Sequence, residues 1–360
     1  MFQHCTSLID GPHLSATMLS NGCYANMFKG CTSLTGLTVD FTDWNDGLYT
    51  TNWLYNVAST GTLTKPAALP DKLGNSYIPN GWNGLVSPIH GGEFTIFVNG
   101  TGTRAVKITT TGTPYTTSFK YSVGGDLWED YQLSSVIEFN DFIVFSGQTG
   151  HLSKNLTNFY RFQITGNVNI EGNLADLINN QTMSDTHVFA NLFVNCNTIK
   201  DTSNLVVPSS NLTNACFMQM FSGCTAMTAG VSSLPATTVP ISGYQSMFEK
   251  CSGMVTGPSI LPATTIGQEA YRAMFNECRV MTTPMYLSAT SISTRGLRYM
   301  FNNNYKLNYI EVNFTAWGDS NAMANWTAAV GTNGTFVKPA ALPPLTGVNY
   351  IPATWTIVNK

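Results

Sequence analysis

A Met-Phe pair that returns at near-constant intervals constrains this chain more than any other feature. The unit Met1-Phe2-x-x-Cys5-x-x-Leu8 recurs as Met27-Phe28-x-x-Cys31-x-x-Leu34. Later copies begin at Leu192-Phe193 with Cys196, Met220-Phe221 with Cys224, Met247-Phe248 with Cys251, Met274-Phe275 with Cys278, and Met300-Phe301 with Leu307. From Leu192 onward the spacing between starts varies by no more than two positions. Fixed chemistry inside a fixed period is the mark of stacked repeats. Each unit is too short to bury its own apolar face, so its neighbours must do so.

Within a unit, Tyr271, Met274, Phe275 and Cys278 fall at i, i+3, i+4 and i+7, and Tyr244, Met247, Phe248 and Cys251 do the same. That spacing predicts one apolar face of a short helix. The period then drops to two. Leu34, Leu37, Val39 and Phe41, like Leu307, Ile310, Val312 and Phe314, end in the alternation of a strand with one buried side. Leu-Pro-Ala-Thr at 234–237 and 261–264 supplies a turn. Stacked, such units predict a parallel ladder over a continuous core. Asn304, at the Cys position, and Pro284, within a strand, depart from the pattern.

A longer repeat lies over the short one. Residues 27–87 align without gaps on 300–360, with 24 of 61 positions identical. The matches include Phe41/Phe314, Trp44/Trp317, Trp53/Trp326, Lys65/Lys338 and Trp82/Trp355. The Pro- and aromatic-rich ends of both copies, 61–91 and 334–360, read as C-terminal caps closing an otherwise open stack. Between the copies, residues 92–163 lose the Met-Phe unit. They carry strand-like runs such as Glu93–Val98 and Val136–Phe145, separated by turns such as Gly124-Gly125-Asp126, which predicts a small antiparallel β-sandwich.

Met-Phe-x-x-Cys-x-x-Leu followed by an Ile/Leu-rich strand resembles the BspA-type leucine-rich repeats, over 1–60 and roughly 164–330. Arrays of Met-Phe units with Leu-Pro-Ala-Thr turns and an interposed β-domain also look like fibre or appendage proteins of tailed phages of gut Bacteroidales. The expected fold is mainly β with short helices: leucine-rich-repeat-type solenoids flanking a small antiparallel β-sandwich. Its parts are a solenoid end with its cap (1–91), the β-domain (92–163), and a second solenoid with its cap (164–360). Met1 lies inside a unit, so the chain is expected to hold the end of one module and one whole module, with more modules before it. The resemblance implies a non-enzymatic structural or adhesive protein on a virion surface. Its implied partners are a host-cell receptor or glycan, other virion proteins, or further modules of the same chain. A bacterial cell-surface adhesin is the second reading, and a polysaccharide-degrading enzyme the third.

Composition narrows the chemistry. Charged residues make up 10% of the chain, against about 25% in an ordinary domain. A net charge of −3 spread this thinly offers no basic field for nucleic acid or an anionic membrane. No apolar run is long enough to span a bilayer, and MFQHCTSLIDGPHL lacks the pattern of a signal peptide.

Six of the eight cysteines (5, 31, 196, 224, 251 and 278) occupy the repeat's Cys position, with no C-x-x-C. They read as a buried ladder of thiols rather than zinc ligands or disulfides between rungs. The five histidines (4, 13, 90, 151 and 187) keep no fixed place in the repeat. Glycan cleavage needs two carboxyls about 5 to 9.5 Å apart, whereas Glu249, Glu269, Glu277, Glu311 and Asp319 occupy different repeat positions. Asp40, Asp43 and Asp46 are spaced like a calcium loop, but the other copy has Asn313, Ala316 and Asp319, so a solvated turn is the better reading. No catalytic, metal or cofactor residue is assigned. Trp44, Trp53 and Trp82 recur at 317, 326 and 355, which favours packing over sugar stacking. Trp128, Tyr121 and Tyr131 have no second copy. They are the candidate glycan- or receptor-binding residues, weighed against an ordinary aromatic core.

Overall fold

The computed structural model describes every residue except 67, 68, 71, 87–92, 125, 126 and 320, and only the backbone of 84–86. The chain is mainly β and forms two compact units, Met1–Gly92 and Glu93–Lys360. In the first unit the parallel strands Gly36–Thr38, Gly61–Lys65 and Trp82–Val86 lie side by side. Leu37 faces Leu63, which faces Gly84. Bridges from Asp10 to Gly36 and from Leu14 to Val39 carry the pairing one repeat back.

In the second unit, Ile260–Leu261, Met285–Leu287, Tyr309–Val312, Thr335–Lys338 and Thr356–Asn359 form a five-stranded parallel sheet. Alternation holds: Ile310 and Val312 are buried while Tyr309 and Glu311 are half-exposed. Pro284 stands just before its strand, where the missing N–H interrupts no ladder. Among the described residues, none of the sheets closes on itself.

The predicted short helices do not form. Among the described residues the helical segments are two 3-10 turns, Asn45–Gly47 and Leu174–Ile178. The Met-Phe segments are instead runs of tight turns with one left-handed residue in every four, as at Glu269, Ala273 and Glu277 (φ 56°, 52° and 62°). The amides alternate. Tyr271 and Phe275 donate to the Gly296 and Met300 carbonyls of the next rung, while Arg272 and Met274 donate three residues back within their own rung. A left-handed L-residue costs about 1–2 kcal/mol. The N–H groups of Glu269, Ala273 and Glu277 each make a bond to the next rung, which offsets part of that cost. A period of four satisfies i, i+3, i+4 and i+7 as well as a helix does, which is why the spacing misled.

Stacking fills the core. Phe193, Phe221, Phe248, Phe275 and Phe301 form a column with ring centroids 5.3 to 5.9 Å apart and planes within 8° of parallel. Beside it, Cys224, Cys251 and Cys278 donate their thiols to the carbonyls of Phe193, Phe221 and Phe248 in the rung before. Asn304 continues this column. It is fully buried, and neither of its amide atoms has a partner.

The antiparallel region does not stand apart from the repeats. Glu129–Tyr131, Phe119–Val123, Phe142–Gly147, Thr95–Val98 and Val168–Asn173 follow one another in a single sheet. Val168–Asn173 pairs antiparallel with Thr95–Val98 on one edge, and parallel with Ile199–Asp201 and Leu205–Val206 on the other. It thus joins the antiparallel strands to the first parallel strands of the repeat region. A second sheet of Phe159–Thr165, Arg104–Thr111 and Ile137–Phe139 completes the region. Phe94 and Phe162 pack on Phe193, so one core runs through both parts.

Candidate functional site

Tyr121, Trp128 and Tyr131 lie on one antiparallel hairpin, in which Tyr121 faces Glu129 and Phe119 faces Tyr131. They do not form one surface. Tyr131 is 6% exposed, and its ring meets Phe145 edge-on at 5.9 Å. Its hydroxyl accepts the Ile108 N–H at 2.7 Å and donates to the Ser135 carbonyl at 2.6 Å, and burial pushes its pKa up. Tyr131 is therefore a core residue. Tyr121 is half-buried and donates its hydroxyl to Glu129 Oε2 at 2.6 Å; that bond, then burial, raises its pKa. Trp128 alone is open, 41% exposed beside Leu127 at 77%. An exposed indole next to an exposed leucine can stack on a sugar or an apolar partner.

The repeated tryptophans belong to the interior except Trp317, which is half-buried against it. Trp44 and Trp317 donate Nε1 to the carbonyls of Pro70 and Pro343, Trp53 and Trp326 to those of Tyr77 and Tyr350, and Trp82 and Trp355 to those of Ala58 and Gly331. The two copies share another feature that charge alone conceals: Lys65 and Lys338 are each 2% exposed and donate Nζ to the carbonyl four residues on, Leu69 or Leu342. The pairing of an identical Lys with an identical Leu four residues later was the available signal.

Other titratable groups are engaged separately. Asp40 meets His13 at 2.8 Å, Asp43 accepts the Asn45 amide and Asp46 meets Lys72 at 3.2 Å, so the acidic triplet does not converge. Among the described residues no group of three or more His, Cys, Asp or Glu could hold a metal ion. Glu249 bonds Asn276, Glu269 takes Arg272 and Arg295, Glu277 takes Arg279, Glu311 takes Lys360, and Asp319 accepts the Ala322 amide. His90 lies outside the described residues, and His151 meets Asp185 at 2.5 Å.

The cysteine ladder is corrected at one end. Cys31, Cys196, Cys224, Cys251 and Cys278 are buried, but Cys5 is exposed; Cys216 is buried outside the repeat's Cys position. Among the described residues, no helix is long and apolar enough to cross a membrane. No protein-family model matches the chain, and no curated protein or solved structure does either.

Proposed function

We propose that this chain is a structural and adhesive repeat protein: stacked leucine-rich-repeat-type solenoids that form a stiff shaft on a phage virion and present a surface to a host receptor or glycan. The observation that carries this is the register between rungs. The amides of Phe193, Phe221, Phe248, Phe275 and Phe301 donate in turn to the carbonyls of Met220, Met247, Met274, Met300 and Trp326, each in a rung that repeats the same turn. Rungs bonded to their neighbours in this way extend without a natural limit and unfold reluctantly, which suits a fibre in harsh solvent.

The Met-Phe-x-x-Cys-x-x-Leu resemblance supports a second reading, a bacterial surface adhesin. Immunogold labelling with antibody against the chain separates the two. Gold on the appendages of particles from a phage lysate is the expected result. Gold confined to the bacterial envelope would replace the virion assignment with the adhesin.

A further inference from the structure

Four of the chain's six arginines, 272, 279, 295 and 298, lie within two consecutive repeats of a protein otherwise poor in charge. Arg272 and Arg298 occupy the same place, three residues before the stacked Phe275 and Phe301. The Tyr271 and Ala273 amides bond the Gly296 and Arg298 carbonyls, so the two rungs are direct neighbours. Glu269 lies between two guanidinium groups, with Arg272 on Oε2 at 2.9 Å and Arg295 on Oε1 at 2.8 Å. Burial alone would raise its pKa, and those two hydrogen bonds outweigh it and hold the carboxyl below its ordinary range.

Arg298 has no carboxylate partner among the described residues. Its guanidinium lies 5.0 Å over the Tyr299 ring, its terminal nitrogen makes only a long 3.4 Å contact with the Tyr299 hydroxyl, and its Nε is buried without a partner. The hydrogen bond from Arg298, a second from Asn325 and the charges of Arg298 and Arg272 lower the Tyr299 pKa, so both arginines act at one point. Arg272 and Arg295 share the one carboxylate of Glu269 while Arg298 has none, so the three guanidinium groups carry two positive charges in excess. Arg279 is taken by Glu277 at 3.0 Å, and Glu249, one rung earlier, bonds Asn276 instead of an arginine.

We propose that Arg272, Arg295 and Arg298, beside Tyr299, form a binding site for an acidic polysaccharide, recognising its carboxylate or sulfate groups. This names the ligand class of the adhesive function proposed above and rests on it. A guanidinium fork matches a carboxylate or sulfate bidentately, and a second arginine one rung away suits a polymer that repeats its charge. Duplex DNA is disfavoured, since its binders neutralise about 6–10 phosphates and this patch has an excess of two charges.

The test measures retention of the full chain on immobilised polygalacturonate, dextran sulfate, neutral dextran and duplex DNA. Retention on the two acidic polymers, lost with rising salt, is expected. Arg272→Gln with Arg298→Gln should weaken it by roughly tenfold or more, the factor that one charged contact of about 1.4 kcal/mol supplies. Glu269→Gln should tighten binding by releasing Arg272 and Arg295, a change of sign that general damage to the fold would not produce. Arg298→Lys, which keeps the charge and loses the fork, should fall between wild type and the double variant. Equal retention on dextran or DNA, or acidic-polymer binding unchanged in the double variant, would overturn the site. Binding to whole host cells that survives these substitutions would remove this site and leave the adhesive function standing. Binding to no polymer and no cell would overturn both.

Discussion

Replacing Phe275 by alanine should remove the centre of the phenylalanine column. Its side chain is fully buried, with Phe248 at 5.7 Å and 4° on one side and Phe301 at 5.9 Å and 7° on the other. A Phe→Ala cavity costs about 3–5 kcal/mol. Two aromatic contacts, worth about 0.5–1.5 kcal/mol each, vanish with it and place the loss toward the upper end. Phe275→Leu keeps most of the volume and loses the ring contacts, so it should cost about 1–3 kcal/mol. Hydrogen exchange with peptide resolution reads this directly, through the Phe248 and Phe275 amides that bond the Met274 and Met300 carbonyls. Protection there should fall roughly a thousandfold for alanine, taking about 1.4 kcal/mol per factor of ten. The strands Gly36–Thr38 and Gly61–Lys65 of the other unit should be unchanged. A loss below about 1 kcal/mol, or equal losses in both units, would refute the stacked-column reasoning.

Asn304→Cys should stabilise the second unit by about 1–3 kcal/mol, because it removes a buried amide without partners; a lower denaturation midpoint would show that the amide is satisfied in solution. Thiol titration without reductant should find Cys5 and Cys23 reactive in the native protein and the six buried cysteines reactive only on unfolding; protection of all eight, or bonded sulfurs, would contradict the ladder. Acid should weaken the second unit. Glu311 is held below its ordinary 4.5 by Lys360, and Glu269 likewise by its arginines despite burial, so their stabilisation is complete above that value and is lost as the pH falls through the lower folded values. At the alkaline end, burial raises the Cys216 thiol from 9.0 to about 12, so its contribution is complete below pH 9 and lost between 9 and about 12. Denaturation midpoints against pH that stay flat across both windows would oppose these assignments.

The repeat period, the alternating strands and the burial of Trp44, Trp53, Trp82, Trp326 and Trp355 were legible in the sequence, because each rests on side-chain spacing; Trp317 is half-buried. The backbone between strands was not. Helices and four-residue turn runs place Tyr271, Met274, Phe275 and Cys278 on one side alike. The distinguishing sign was the left-handed position every four residues, written as Asn191 and Asn195 or as Gly22, Asn26 and Gly30, and hidden where Glu269, Ala273 and Glu277 take it. Phe162 and Val168 read as the end of one region and the start of another, yet Val168's strand pairs with both and the Phe162 amide bonds the Leu192 carbonyl, which no local pattern reveals. Among the candidate site residues, the sequence placed Tyr121, Trp128 and Tyr131 on one β-region but not their opposite exposures. Tyr121 and Tyr131 both pack on Phe145, whereas Trp128 lies just outside its strand and stays open. The arginine face escaped notice because its members come from two successive repeats and meet only when rungs stack.

The most direct test of recognition without chemistry follows the full chain on intact gut Bacteroidales cells and on polysaccharide extracted from their surface. Saturable binding is predicted, with the polysaccharide keeping its length and releasing no reducing ends over prolonged incubation. Reducing ends that accumulate in proportion to added protein would contradict a purely adhesive and structural role.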